Sequence, residues 1–87
     1  MLMTITKQDV KKADRGDPRM CPVVMAIRRI TKAKVVEVDE GRIAINGKTC
    51  RMPAKCQRFV RAWDTGLEYT LPVEFNLPDW MLGSKGR

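Results

Sequence analysis

Eighty-seven residues, 44% hydrophobic and 31% charged, describe one small globular domain with a thin core, because chains of this size bury only a little over about 60% of their unfolded surface. The longest apolar run, Cys21 to Ile27, has seven residues, against the roughly 20 that a membrane-crossing helix needs, so no span is expected. Seventeen Lys and Arg against ten Asp and Glu give a net charge of +7, which favours an acidic or phosphate-bearing partner and also serves plain solubility.

The charge is unevenly placed. Residues 1 to 63 hold fifteen basic and six acidic side chains, and residues 64 to 87 hold two basic and four acidic. The three cysteines are Cys21, Cys50 and Cys56. An odd count with no charged-then-apolar leader predicts reduced thiols in a cytoplasm rather than a disulfide framework. Histidine is absent, which removes the commonest general base and metal ligand. The Cys50–Cys56 spacing fits no zinc pair. The expectation is no metal, no cofactor and no enzyme.

In chain order, Met3 and Ile5 alternate with Thr4 and Thr6, which predicts a short strand. Thr6 followed by Asp9 resembles a helix-start box, with a helical turn over Lys7 to Ala13. DRGDPR reads as loop through Gly16 and Pro18. Its Arg15-Gly16-Asp17 triplet is taken as chance.

Pro22 suits a first helical position. The helix it starts runs to about Lys32, with Val23, Ile27 and Ile30 on one face and Val24 and Ala26 close by. Cys21 at its start, near Arg19, is the sharpest candidate nucleophile, since a helix N-terminus and a cation lower a thiol pKa. No histidine is present to assist it, so a buried apolar filler is the expected role.

Residues 34 to 52 predict a three-stranded meander: KVVEV, a turn at DEG, RIAIN, a tight turn at Asn46-Gly47, and KTCRM. Pro53 opens a second helix, PAKCQRFVRAWDTG, whose apolar stripe is Cys56, Phe59, Val60 and Trp63, stopped by Gly66. LPVEFNL alternates with Leu71, Val73, Phe75 and Leu77 inward, and Pro72 places it at an edge. PDWML predicts one docking turn through Trp80 and Leu82. The fold class is α+β: one domain over residues 1–82 with an antiparallel sheet of about four strands and two short amphipathic helices packed on it, followed by a loose tail at 83–87.

No paired carboxylates or phosphate-cradling glycine loop point to catalysis. The outward feature is the cations. Arg28, Arg29 and Lys32 end the first helix, and Arg51, Lys55, Arg58 and Arg61 form a ridge on and before the second. These seven are the expected partner-binding residues, able to meet carboxylates or phosphates. Only Tyr69 and Trp80 remain outside the expected core, too few aromatics for a single-strand platform. Two helices separated by a meander fit no helix-turn-helix. Membrane-surface binding ranks low, because the apolar helix faces are needed for the core.

The segment CPVVMAIRR, the hairpin, and MPAKCQRFVRAWDTG followed by LPVEFNL together resemble a group of small phage-encoded proteins. Members carry a Cys-Pro-apolar helix start, usually nearer C-P-I-A-L-A, and a later helix ending in R-F-[IV]-R-x-[FW]-D-x-G. The likeness spans residues 3 to 77 and departs at Val23-Val24-Met25 while keeping their apolar character. The group is mostly of unassigned function. The resemblance implies a phage accessory protein in the cytoplasm of a bacterial host. Such proteins often bind and block a host protein or ribonucleoprotein complex, as anti-CRISPR proteins do. The alternatives are a nucleic-acid-binding phage protein without sequence preference, and a virion structural or assembly protein.

Overall fold

The computed structural model describes every residue except 16, 18, 19, 40 and 82–87. The chain is α+β, in the order β1 (Leu2–Ile5), α1 (Lys7–Lys12), α2 (Pro22–Thr31), β2 (Val36–Asp39), β3 (Arg42–Ile45), β4 (Lys48–Arg51), α3 (Ala54–Thr65), β5 (Val73–Asn76) and a 3₁₀ turn at Asp79–Met81. The expected tail at 83–87, the breakers Gly16 and Pro18, and the docking role given to Leu82 lie outside the described residues.

One expectation is corrected. The strands do not form a single sheet of about four. β1 and β5 pair antiparallel with each other, and β2–β3–β4 form a separate antiparallel meander. Alternation marks a strand but not its partner, and here the two ends of the chain satisfy one another: Met3 lies opposite Phe75 and Ile5 opposite Val73. Helix α2 joins the two sheets, touching β1, β2, α1 and α3. Its buried face is Pro22, Val23, Val24, Ala26 and Ile27. Val23, Val24, Ala26 and Ile27 join Met3, Ile5, Val36, Ile43, Ile45, Met52, Cys56, Phe59, Trp63, Phe75, Leu77 and Met81 in one apolar cluster. A third helix, α1, accompanies the two amphipathic ones. Its start is held by Asp9, whose carboxylate accepts from the Thr6 N–H at 2.8 Å and the Thr6 hydroxyl at 3.0 Å, satisfying an otherwise orphan helix-start donor.

The hairpin follows its turn chemistry. Asn46 and Gly47 both have positive φ, 49° and 88°, as a two-residue turn between twisted strands requires. That turn sets Ile45 opposite Lys48, Ile43 opposite Cys50, and Arg42 opposite Arg51. Helix α3 ends at Gly66 in the left-handed region, with the Leu67 N–H donating to the Ala62 carbonyl at 2.8 Å. Pro72 stands just outside β5 and follows a cis peptide bond. In the 3₁₀ turn Met81 is buried while Trp80 points outward.

Candidate functional site

The three-stranded sheet presents a polar outer face. Ile43 and Ile45 go to the core, so Arg42 and Ala44 face out from β3, with Thr49 and Arg51 beside them on β4 and Glu37 and Asp39 on β2. Arg42 and Arg51 are therefore direct cross-strand neighbours, a register in which like charges repel.

Beside this pair the chain is tied down. The Met52 N–H donates to the Gly41 carbonyl at 2.7 Å, and Gln57 Nε2 donates to the Met52 carbonyl at 2.7 Å. Gly41, at φ 82°, lets the turn pass under the Gln57 amide: a Cβ there would sit 3.7 Å from its carbon. A hollow of about 560 Å³ results, lined by Gly41, Arg42, Thr49, Cys50, Arg51 and Gln57. It holds two guanidiniums and, among the described residues, no carboxylate. Across Gly41 and Gln57 lies a second hollow of about 640 Å³. Its polar rim is mixed, with Arg15 and Arg61 against Asp17, Asp39 and Asp64, and its floor includes Val38, Met52 and Trp63. Arg15 is anchored there: its Nε donates to the Trp63 carbonyl at 2.9 Å, and its guanidinium lies 5.7 Å from the Trp63 ring centre.

The seven expected cations do not form one surface. Arg29 is engaged internally. Its Nε and Nη2 donate to the two carboxylate oxygens of Asp9 at 3.1 and 3.0 Å, and Nη2 also reaches the Thr4 carbonyl at 2.7 Å. Arg28 donates to the Lys34 carbonyl, and its Nε is buried without a partner. Both thus act inside the fold, for a reason invisible in sequence: their partners are 20 and 6 residues away. Lys32 is exposed, but the chain from it enters the sheet at Val36, opposite Ile45 and away from the Arg42–Arg51 row.

The α3 group fares differently. Arg51, Lys55, Arg58 and Arg61 are all exposed. Among the described residues no ion pair or hydrogen bond engages the side chains of these four or of Arg42. Arg61 lines the mixed hollow and Arg51 the cationic one. Arg42 was missed in the sequence reading, although the signal existed: a two-residue turn at Asn46-Gly47 dictates that Arg42 and Arg51 face each other.

The thiols are unsuited to nucleophilic work. Cys21 is 5% exposed, and burial pushes its pKa upward despite the nearby backbone N–H groups of Val24 and Val23 at the helix start. Desolvation defeats the helix terminus here. Burial, with a smaller contribution from Cys21, raises Cys56 to about 12, and burial also raises Cys50. Phe59, Trp63 and Phe75 are buried as expected. Tyr69 meets Phe59 edge-on, with ring centres 5.0 Å apart, which leaves Trp80 as the one outlying aromatic among the described residues.

No helix among the described residues is long and apolar enough to cross a membrane. No protein-family model matches the chain, and neither a curated protein nor a solved structure matches it.

Proposed function

We propose that this chain is a phage accessory protein that binds and blocks a host macromolecular complex through a basic surface, with a CRISPR effector complex as the first target to test. The role is binding rather than catalysis. The observation that carries the reading is the group Arg42, Arg51, Lys55, Arg58 and Arg61. These cations are left without partners in the described structure, two on the outer face of the meander and three on α3. A fold that neutralises Arg29 with its own Asp9 but leaves these five open holds charge ready for carboxylates or phosphates of another molecule. The resemblance to small phage-encoded proteins supplies the setting, a bacterial cytoplasm.

The test is affinity capture with the tagged protein from cells that express a CRISPR effector complex, alongside a phage-interference assay. The expected result is co-purification of the complex and loss of interference. Arg58→Glu with Arg61→Glu should weaken both while leaving the melting temperature in place. Unchanged capture and inhibition in that double variant would overturn the basic-surface reading. The second reading, direct nucleic-acid binding, is favoured by the two guanidiniums of Arg42 and Arg51 that share one hollow with Thr49 and Gln57. It predicts binding to free DNA or RNA with steep salt dependence and little sequence preference.

A further inference from the structure

We infer that the hollow between Arg42, Arg51 and Gln57 is a phosphate clamp that holds one backbone phosphodiester of a nucleic-acid strand. It rests on the reading of the basic face as a binding surface, and it names the chemistry that this face grips.

Three observations lead there. The first is register. Arg42 and Arg51 are directly opposite on neighbouring strands, so their guanidiniums rise from Cβ atoms roughly 5 Å apart. Such neighbours repel unless an anion sits between them. Asp39 is the only acidic side chain opposite either in the described ladder, and it forms no ion pair with Arg42. The second is shape. A phosphodiester presents two non-bridging oxygens on a tetrahedral centre that share its negative charge, and each can accept from one of two converging guanidiniums. The third is rigidity and surroundings. The Met52–Gly41 and Gln57–Met52 hydrogen bonds, both 2.7 Å, fix the turn and the helix start against the ladder. The Thr49 hydroxyl and Gln57 amide line the same hollow and are donors suited to phosphate oxygens.

Among the described residues the hollow is lined by no aromatic ring to stack a base, so it reads the phosphate and not the nucleoside. Lys55 and Arg58 stand exposed on the helix that follows, outside the lining of the hollow, and the chain as a whole carries a net charge of +7. That favours a strand carrying successive phosphates over one free ion.

The experiment is fluorescence anisotropy with a labelled mixed-sequence single-stranded oligonucleotide, titrated at several salt concentrations. Four proteins are compared: wild type, Arg42→Ala/Arg51→Ala, Arg42→Lys/Arg51→Lys, and Lys7→Ala/Lys11→Ala. The last removes equal charge from exposed positions on α1. The alanine pair should lose about tenfold or more in affinity at low salt, and its log–log salt slope should fall by about 0.7, as expected for the loss of one single-strand phosphate contact. The lysine pair should keep most of the slope and still lose affinity, because the charge stays and the fork is gone. The α1 pair should change little.

Equal losses in the alanine and α1 pairs would overturn the clamp in favour of diffuse charge. So would competition by polyglutamate as strong as that by an unlabelled strand, which would indicate a carboxylate site. Displacement of the strand by inorganic phosphate at matched ionic strength would assign the hollow to a free phosphate and overturn the strand. No oligonucleotide binding by wild type, with host-complex capture intact, would sink the clamp and leave the proposed function standing. Clamp behaviour without capture of any host complex would support the clamp and sink that function.

Discussion

Arg29 and Asp9 meet in a two-pronged ion pair that ties α2 to the start of α1, with Nε–Oδ1 at 3.1 Å and Nη2–Oδ2 at 3.0 Å. The carboxylate is nearly enclosed, at 3% side-chain exposure, while the arginine side chain is 41% exposed. Asp9 therefore does two jobs: it closes the helix start through Thr6 and it seats the end of α2. It is the one buried charged or polar residue among those described. Losing it would orphan the Thr6 N–H, whereas Arg29 could still turn to water.

Asp9→Ala should cost about 2 kcal/mol, a lost helix-start cap plus charge-assisted hydrogen bonds partly screened by solvent. In a domain of this size that lowers the melting temperature by roughly 10 °C. Burial works to raise the Asp9 pKa, but the hydrogen bonds from Arg29 and Thr6 outweigh it and hold the carboxyl below its ordinary value of 3.8. A depressed folded value means the contribution is full above that ordinary value and is lost as pH falls through the folded one. Thermal melts should thus show the wild-type advantage over Asp9→Ala at pH 7 and its shrinkage below pH 3.8. A constant gap at every pH would contradict the ion pair.

The thiols predict the opposite pH side. Cys56 moves from 9.0 to about 12 through burial, so the unfolded chain releases this proton first. Stability is full below pH 9.0 and declines as pH rises toward 12. Wild type should lose melting temperature over that window more steeply than Cys56→Ala. Iodoacetamide labelling of native protein at neutral pH, read by mass spectrometry, should modify half-buried Cys50 before buried Cys21 and Cys56. Denaturant should bring all three to similar rates. Rapid native labelling of Cys21 would restore the activated-thiol reading.

The Arg42–Arg51 row predicts a trade between stability and binding. Arg51→Glu puts opposite charges at a directly paired position and should stabilise the fold by about 0.5 kcal/mol, measured by urea denaturation. The same change should weaken binding of the polyanionic partner. A variant that gains stability and keeps full binding would remove Arg51 from the site.

Lys32 closes α2 at φ 64°, in the left-handed region, where a side chain is strained and glycine is not. Lys32→Gly should raise stability by about 0.5 kcal/mol, visible as a small upward shift in a calorimetric scan. Because Lys32 lies away from the Arg42–Arg51 row, partner binding should persist. Loss of binding in this variant would return Lys32 to the interface.

Much of this chain was legible from its residues. Proline at position 22 and glycine at 66 mark real helix ends, and the Asn46-Gly47 turn fixes the hairpin. Periodicity places Val23, Ile27, Phe59 and Trp63 inward. These features are local, and backbone sterics and apolar spacing act within a few residues.

Pairing across long separations is different. Whether β1 joins the meander or meets β5 depends on which apolar faces can be covered at once, and only the assembled core decides that. The cations make the same point. In sequence Arg29 and Arg51 look equally outward. Folding brings Asp9 to Arg29 across twenty residues and sets an arginine, not a carboxylate, opposite Arg51. Residue type fixes a side chain's charge, but the three-dimensional arrangement determines whether that charge is neutralised within the fold or left to meet another molecule.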